Sequence, residues 1–344
     1  MTLQAPFPYF GGKSTVARLV WQRLGNVANY VEPFFGSGAV LLARPNVGRI
    51  ETVNDKDRYV ANFWRAVKND PEAVAHWLDW PVNECDLFAR HLWLVNDGIK
   101  IIERCDQDPD FFDAKVAGWW CWGLCQWIGS GWCSGDGPWK RNDDDSQRPH
   151  LGDSGKGVNR TRPHLSASGM GVNRSIIEND VGRTEVLVRW MTSLANRFRN
   201  VRVCCGDWSR VCGPSVTTRL GMTGLFIDPP YSTAANRLEG LYNQDSLTVA
   251  HDAREWAVNA GRDPLIRIVF AGYEDEHQFP SDWHKEKWKA KGGYGTQAKQ
   301  GRGRENSYRE VLWFSPHCLN GLKGLLELDD DIEQIDEGEQ TCDT

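Results

Sequence analysis

The sequence predicts an α/β protein with a doubly wound, mainly parallel sheet that is interrupted by an inserted, mostly helical module. Strands alternate with helices in two blocks, residues 30–70 and about 184–315, and this alternation is typical of parallel sheets. Between the blocks, residues 119–139 hold six tryptophans, and residues 146–174 are basic and rich in glycine. We therefore expect a core of residues 1–67 and 195–320, a module of residues 68–194 and a tail of residues 321–344.

The first block contains a strand, a turn, a helix, a second strand and a second helix. Apolar residues around Val31 form the first strand, and Ala39 to Leu42 begin a helix that Pro45 ends. Arg49 to Val53 is the second strand. The apolar residues that follow have the i, i+3, i+4, i+7 spacing of an amphipathic helix, and they are Val60, Phe63, Trp64 and Val67.

The second block begins with a helix and continues with four short apolar strands. The helix is marked by Leu187, Trp190, Met191, Leu194 and Phe198. The strands are Val201 to Cys205, Leu225 to Ile227, Leu265 to Phe270 and Val311 to Phe314. These strands are expected to belong to the same sheet as those of the first block.

Composition favours a reduced, cytoplasmic protein without a metal ion. None of the ten cysteines belongs to a CxxC pair or to a Cys/His group with zinc spacing. No run of 18 apolar residues occurs, so no membrane span is expected, and the first residues predict no signal peptide.

The charge is distributed unevenly along the chain. Nine acids and no lysine or arginine lie between Glu327 and the last residue, and without these acids the formal net charge of −6 becomes +3. We expect the acidic tail to be a solvated, disordered appendage. The mildly basic remainder permits binding to a polyanion such as nucleic acid.

A 14-residue repeat lies in the insertion. Arg148-Pro149-His150-Leu151 returns as Arg162-Pro163-His164-Leu165, and Gly157-Val158-Asn159-Arg160 returns as Gly171-Val172-Asn173-Arg174. Two copies are too few for a solenoid. The arginines and histidines suit contact with phosphate or with guanine, and a plain solvated loop is the alternative.

Two further segments have an open role. A basic, glycine-rich loop from Lys285 to Arg304 precedes the strand at Val311, so it is expected at the edge of the active site, where it closes over DNA backbone or is a plain surface loop. The tryptophans of the insertion are interpreted as the core of a helical subdomain rather than as base-stacking platforms. Trp119, Trp122 and Trp127 support this interpretation because they fall on one side of a helix.

The first chemical signal is the turn Phe35-Gly36-Ser37-Gly38. Glycines after a strand let a ligand approach the backbone, and a carboxylate after the next strand can bind ribose hydroxyls. Asp55 lies 17 residues after Gly38 and suits that role. The arrangement also fits a dinucleotide enzyme.

The second signal is Asp228-Pro229-Pro230-Tyr231, which follows the strand Leu225 to Ile227. An amine that attacks a methyl sulfonium needs its lone pair freed from ring conjugation. Asp228 and the carbonyl of Pro229 can both accept from such an amine, and the prolines stiffen the turn without a competing N–H. Tyr231 offers a face for stacking a flipped base.

These segments resemble the Dam-like N6-adenine-specific DNA methyltransferases (D12 class, alpha group), including their phage and prophage relatives. Four segments match in order: Pro8 to Lys13, Val31 to Gly38, Asn54 to Asp57 and Asp228 to Tyr231. The cofactor turn precedes the insertion and the insertion precedes the Asp-Pro-Pro-Tyr segment, which is the order of this family and not of its permuted relatives. Cys205 to Trp208 is similar to the family's segment around the cofactor adenine.

The resemblance implies a Rossmann-like methyltransferase with S-adenosylmethionine as the cofactor and double-stranded DNA as the substrate. It implies catalytic roles for Asp228, Pro229, Pro230 and Tyr231. It implies cofactor contacts at Tyr9, Gly12, Lys13, Glu32, Phe34, Gly36, Gly38, Asp55, Asp207, Trp208 and Asp228. For Asp207 and Trp208, capping at the end of a strand is the alternative.

The middle of the chain departs from the family, whose members read bases with an Asn-Gly-Leu-x-Arg-like stretch and a hairpin. Here the corresponding region is Trp122 to Trp132, followed by the repeat, so specificity residues cannot be carried over. The candidate DNA contacts come from the two basic segments and are Arg148, Arg160, Arg162, Arg174, Arg302 and Arg304.

Three alternative functions remain at this point. The same tetrapeptide chemistry serves N4 of cytosine in DNA. A nicotinamide oxidoreductase would use the glycine turn, but position 41 is Leu41 instead of the third glycine of GxGxxG. A DNA-binding protein without catalysis would not need Asp228 and Lys13. Regulation, restriction-modification and phage protection all fit the sequence as biological roles.

Overall fold

A seven-stranded sheet forms the centre of the protein in a computed structural model. The structure describes residues 3–9, 13–45, 50–81, 83–108, 110–127, 132–133, 182–230, 248–288 and 309–319. The strands are β1 (Asn29–Glu32), β2 (Ile50–Asp55), β3 (Val201–Cys205), β4 (Thr223–Ile227), β5 (Ile266–Tyr273), β6 (His284–Lys287) and β7 (Glu310–Phe314). Their order across the sheet is β3-β2-β1-β4-β5-β7-β6. The predicted α/β class with a mostly parallel sheet is therefore confirmed.

The direction of the strands defines one edge of the sheet. Neighbouring strands from β3 to β5 are parallel, whereas β7 is antiparallel to both β5 and β6. The strand order reverses between β1 and β4, and open α/β sheets bind ligands at such a switch point, beyond the carboxyl ends of the strands. Glu32, Asp55 and Ile227 end β1, β2 and β4 and therefore lie at this edge.

Nine helices are described. They are α1 (Ala17–Leu24), α2 (Ala39–Leu42), α3 (Arg58–Asn69), α4 (Pro71–Leu78), α5 (Glu84–Trp93), α6 (Ile99–Ile102), α7 (Ala114–Gln126), α8 (Arg183–Phe198) and α9 (Val249–Ala260). Side-chain oxygens begin several of them, because they accept from backbone N–H groups that have no partner within the helix. Asp57 accepts from the Tyr59 N–H at the start of α3 at 2.8 Å, and Asp113 accepts from Val116 at the start of α7 at 2.7 Å.

Both faces of the sheet are covered. On one face, Ala253 and Ala257 of α9 pack against Leu225, Ile268 and Phe270 of the sheet. On the other face, helices α1 to α8 contribute to one large apolar cluster that also contains side chains of the sheet. Helices on both faces make the sheet doubly wound, as the sequence predicts.

The described helices of the insertion pack into the same apolar cluster as the sheet. Trp120 and Trp122 of α7 are fully buried there, and Trp127 and Trp132 are buried beside them. Trp64 of α3 stacks on Phe198 of α8 with ring centroids 4.3 Å apart and an interplanar angle of 8°. These tryptophans are core residues, as expected, but the core is shared with the sheet and does not belong to a separate helical subdomain. Trp139 lies outside the described residues.

Most predicted elements occur close to their expected positions. All four apolar residues that marked α3 are completely buried, as are Leu187, Met191, Leu194 and Phe198 of α8, while Trp190 is half-buried. The strand β3 has the predicted bounds, and β2, β4, β5 and β7 differ from theirs by one to three residues at an end.

The prediction of a loop from Lys285 to Arg304 was wrong at its start. Lys285, Glu286 and Lys287 belong to the edge strand β6, which pairs with β7. Alternate side chains of a strand share one face, and Lys285 and Lys287 both bind the carboxylate of Glu274, at 2.8 and 2.6 Å. The strand β6 has no apolar pattern because its side chains do not fill the core. Charged side chains on an edge strand hinder its pairing with the strand of another molecule.

The described part of the chain contains no helix with the length and apolarity of a membrane span. Its nine cysteines are all free thiols. Among the same residues, no group of three or more His, Cys, Asp or Glu side chains has an arrangement that would hold a metal ion.

Candidate active site

A cleft of about 900 Å³ lies at the carboxyl ends of β1, β2 and β4. It is lined by Tyr9, Lys13, residues 32–37, Ala39, Val40, residues 54–57, residues 206–208, Phe226, Asp228, Pro230 and Val249. Most of the described residues that the sequence predicted for the site are therefore in one cleft. Of those predicted and described, Gly38 and Pro229 are buried and are not among the lining residues, although each is a neighbour in the chain of residues that line the cleft.

The glycine turn after β1 is tightly packed against the side chains of Tyr9 and Trp64. Gly36 has φ +50° and Gly38 has φ +70°, conformations that residues with a Cβ rarely adopt. A Cβ on Gly36 would lie 2.5 Å from the ring of Tyr9. The indole N–H of Trp64 donates to the Gly36 carbonyl at 3.0 Å and fixes the turn to α3. The glycines are thus required by backbone conformation and by close contact with protein side chains, and the binding of a ligand by this turn stays a prediction.

Asp55, the last residue of β2, joins the glycine turn to the following segment. Its Oδ2 accepts from the Gly36 N–H at 2.8 Å, and its Oδ1 accepts from the Asp57 N–H at 2.9 Å. Burial raises the pKa of this carboxyl group to about 6, although the backbone donors oppose the rise. Asp55 therefore orders the turn in addition to presenting a carboxylate to the cleft.

Glu32 is a buried acid on the floor of the cleft, at the end of β1. Its Oε2 accepts from the Tyr30 hydroxyl at 2.8 Å, and its relative exposure is 2%. Burial raises the pKa of Glu32 well above its usual value, and the charge of Asp228 adds to the rise. The carboxyl group is held in place by Tyr30, on which Trp21 packs at 4.7 Å between ring centroids.

Asp207 and Trp208 form the wall that follows β3. The Oδ1 atom of Asp207 accepts from both the N–H and the hydroxyl of Ser209, so the capping interpretation of this residue is correct. Trp208 stacks on Phe34 with ring centroids 6.1 Å apart and an interplanar angle of 27°. Together, Phe34 and Trp208 give one end of the cleft an aromatic surface that suits a flat ring.

The centre of the cleft holds an ion pair between Asp228 and Lys13. Asp228 directly follows β4, and its Oδ2 lies 2.9 Å from Nζ of Lys13, whose side chain is 4% exposed. Burial raises the pKa of Asp228, and Lys13 opposes that rise by stabilising the carboxylate. Burial alone would lower the pKa of Lys13, but Asp228 and Glu310 outweigh it and the pKa is raised. The two side chains therefore form a buried ion pair in the cleft, in which each partner favours the charged form of the other.

Two residues of the site were missed in the sequence. Asn54 is buried, and its Nδ2 donates to the carbonyls of Pro33 and Gly206, both at 3.0 Å, so it joins the turns that follow β1 and β3. Glu310 begins β7 and lies 3.9 Å from Nζ of Lys13. Asn54 belongs to the segment Asn54 to Asp57, so the sequence indicated its neighbourhood but not its role. Glu310 is a single glutamate at the start of a strand, and no sequence pattern distinguishes it.

Several predicted residues lie outside the described part of the chain. They include Gly12 of the cofactor group and Tyr231 of the catalytic segment. They also include the six candidate DNA contacts Arg148, Arg160, Arg162, Arg174, Arg302 and Arg304, and the acidic tail. Their roles stay predictions.

Comparison with known families agrees with the geometry of the cleft. No curated protein matches this sequence. Residues 9–87 match the family model described as D12 class N6 adenine-specific DNA methyltransferase. The matched range includes Tyr9, Lys13, the glycine turn and Asp55, and it ends before Asp228. Over these residues the chain is similar to enzymes that methylate DNA, and its mostly parallel seven-stranded sheet is compatible with a methyltransferase fold.

Proposed function

We propose that this protein transfers a methyl group from S-adenosylmethionine to the N6 amine of adenine in double-stranded DNA. The observation that carries the proposal is the position of Asp228. This carboxylate lies at the switch point of the sheet, paired with Lys13 at 2.9 Å, in the same cleft as the glycine turn. The family match at residues 9–87 supports the same conclusion.

The residues of the cleft fit S-adenosylmethionine. The glycine turn lines the cleft at Gly36, and the side-chain oxygens of Asp55 and Glu32 offer acceptors for hydroxyl or ammonium groups. Phe34 and Trp208 offer their aromatic surface to an adenine ring. When bound, the cofactor supplies a methyl group on a positively charged sulfur atom.

Asp228 and Pro229 would orient the target amine. The ionised carboxylate accepts a hydrogen bond from the exocyclic NH2, and the Pro229 carbonyl accepts the second, which frees the nitrogen lone pair from the ring. Lys13, 2.9 Å away, favours the ionised form of Asp228 and so opposes the effect of burial on the pKa of this carboxyl group. Tyr231 would stack on the flipped base.

A covalent enzyme intermediate is not part of this proposal. Among the described residues that line the cleft, none is a cysteine. Burial raises the pKa of the Cys205 thiol, next to the cleft residue Gly206, to about 12, so this thiol is not a thiolate near neutral pH. The barrier to methyl transfer would instead be lowered by the positioning of amine and cofactor and by electrostatic stabilisation.

DNA recognition would be supplied by segments outside the sheet. We infer that residues 68–194 carry target recognition and that the arginines of the repeat, with Arg302 and Arg304, contact phosphates or bases. An alpha-group enzyme of phage or prophage type that works in a prokaryotic cytoplasm fits these features.

The direct test identifies the modified base. DNA incubated with the protein and S-adenosylmethionine is digested to nucleosides, and their masses are measured. N6-methyladenine is expected, N4-methylcytosine would favour the alternative substrate, and no methylated base would contradict both.

The same assay tests Asp228. The Asp228→Ala variant should remain folded and lose methyl transfer, because the lost hydrogen bond to an ionised group alone costs about 1.5–3 kcal/mol, or roughly 10- to 150-fold in rate, before alignment is counted. Asp252→Ala removes an exposed acid on α9 and serves as the control. Turnover of the Asp228 variant near that of the control would contradict the mechanism.

A further inference from the structure

We propose that Glu310 is a positioning residue of this active site, which acts on Asp228 by holding Lys13 between two carboxylates. The proposal rests on the proposed function, since it assigns the role to the same ion pair. It is carried by the placement of Glu310, whose Oε2 lies 3.9 Å from Nζ of Lys13, while Oδ2 of Asp228 lies 2.9 Å from the same nitrogen.

The topology of the sheet brings Glu310 to the site. Because β7 is antiparallel to β5, its first residue lies at the edge where the parallel strands end, and Glu310 pairs with Tyr273, the last residue of β5. The Trp288 N–H donates to the Glu310 carbonyl at 3.2 Å, and the Trp288 ring lies 5.6 Å from Nζ of Lys13. Lys13 is therefore enclosed by Asp228, Glu310 and an indole ring.

The three charged groups carry a net charge of −1. Lys13 is 4% exposed and Glu310 is 5% exposed, so their interaction is only weakly screened by solvent. With Glu310 present, the ammonium group is shared by two carboxylates, and these three groups carry one more negative charge than Asp228 and Lys13 alone. Without Glu310, Asp228 and Lys13 would cancel. A surplus negative charge stabilises a cationic sulfur and an amine that becomes positive as it is methylated.

The neighbouring titratable groups do not replace Glu310. Burial, and then the charge of Glu310, raises the pKa of Tyr273, so this phenol stays neutral. Arg309 stacks on Tyr273 at 4.6 Å and binds the carboxylate of Asp275 at 2.5 Å. Glu32 lies close enough for Asp228 to raise its pKa. Among the described residues, Glu310 therefore contacts the cation Lys13 at the cleft.

The test compares Glu310→Gln with the wild type in methylation assays from about pH 6 to about pH 11, because the ordinary pKa of a lysine is about 10.5. We expect kcat to fall at least about 10-fold while the KM values for DNA and cofactor change less than about 3-fold. The alkaline limb of the profile should move to lower pH, because Glu310 raises the pKa of Lys13. Glu310→Asp keeps the charge and should restore part of the rate. Glu274→Gln, which removes a half-exposed carboxylate bound to Lys285 and Lys287, is the matched control.

A second measurement separates this proposal from the proposed function. The pKa of the Lys13 ammonium group is followed by NMR of isotope-labelled lysine, with Lys13→Met to assign the signal. A lower Lys13 pKa in Glu310→Gln is expected, and an unchanged pKa would overturn the proposal. If the rate of Glu310→Gln falls but its pH–rate profile does not shift, Glu310 has a structural role. That result would also overturn the proposal. If the wild type forms no methylated base, the proposed function fails, and NMR alone decides whether Glu310 holds Lys13.

Discussion

Replacing Asp55 by asparagine should stabilise the fold near neutral pH while weakening cofactor binding. The carboxylate accepts from the backbone N–H groups of Gly36 and Asp57, and burial raises its pKa from 3.8 to about 6. Between these two pH values, the folded protein holds a proton that the unfolded chain has lost. The free energy of unfolding therefore decreases as the pH rises from 3.8 to about 6. At higher pH the protein stays less stable by the whole of this decrease.

The size of the effect follows from the shift in pKa. A rise from 3.8 to about 6 corresponds to roughly 3 kcal/mol lost on ionisation, at about 1.4 kcal/mol per pH unit. Asparagine removes the charge but has a single acceptor oxygen, so one of the two backbone hydrogen bonds is lost at about 0.5–1.5 kcal/mol. The expected net stabilisation at about pH 7.5 is roughly 1.5–2.5 kcal/mol.

Urea denaturation between about pH 4 and pH 7.5 measures this difference, with Asp252→Asn as the control for an exposed acid. Calorimetric titration with S-adenosylmethionine should give an affinity at least about 10-fold lower for Asp55→Asn, because the loss of a charged acceptor costs about 1.5 kcal/mol or more. DNA binding should change little. A variant less stable than the wild type at about pH 7.5, or one with unchanged cofactor affinity, would refute the reasoning.

Two further predictions concern other parts of the chain. His277 is buried among Phe270, Phe279 and Trp313, and burial lowers its pKa from 6.5 to about 4, so stability should fall by up to about 3 kcal/mol as the pH drops through that window. Urea midpoints should lose this dependence in His277→Leu but not in the exposed control His76→Leu, and equal slopes in both would contradict it. Deletion of residues 146–176 should preserve cofactor binding and reduce the slope of log K for DNA against log salt by about 2.7 if three of its five Lys/Arg contact phosphate. Binding isotherms on two DNA sequences test this, and an unchanged slope with unchanged sequence preference would make the repeat a bystander.

The sequence predicted those parts of the fold in which burial leaves a periodic pattern. The spacing of Val60, Phe63, Trp64 and Val67 identified α3, because all four side chains face the core. The strand β6 was missed because its side chains are charged and its apolar contribution is small. Neither pattern nor spacing indicates that β7 runs antiparallel, since strand direction depends on how the connections cross the sheet.

In the site, the sequence identified residues within contiguous motifs and missed those that depend on tertiary placement. Asp55 was predicted as a ligand for ribose, but its hydrogen bond to Gly36 across 19 residues of chain had no sequence signal. For Asp207, both the ligand and the capping interpretation were considered, and the bonds to Ser209 establish capping without excluding the other oxygen from binding. Glu310 required the reversed strand to be known.

The shared core of sheet and helices limits where this protein can exchange segments with relatives. Before the repeat, Trp132 anchors the chain, since its indole N–H donates to the Trp120 carbonyl at 3.0 Å. After it, Thr184 bonds to Asp79 at the start of α8, whose Phe198 stacks on Trp64. A recombination point inside any helix from α4 to α8 would break this packing. An exchange that preserves these contacts would have one joint after Trp132 and the other before Thr184. New target specificity would therefore be acquired most readily by grafting at those two points, without redesign of the interior.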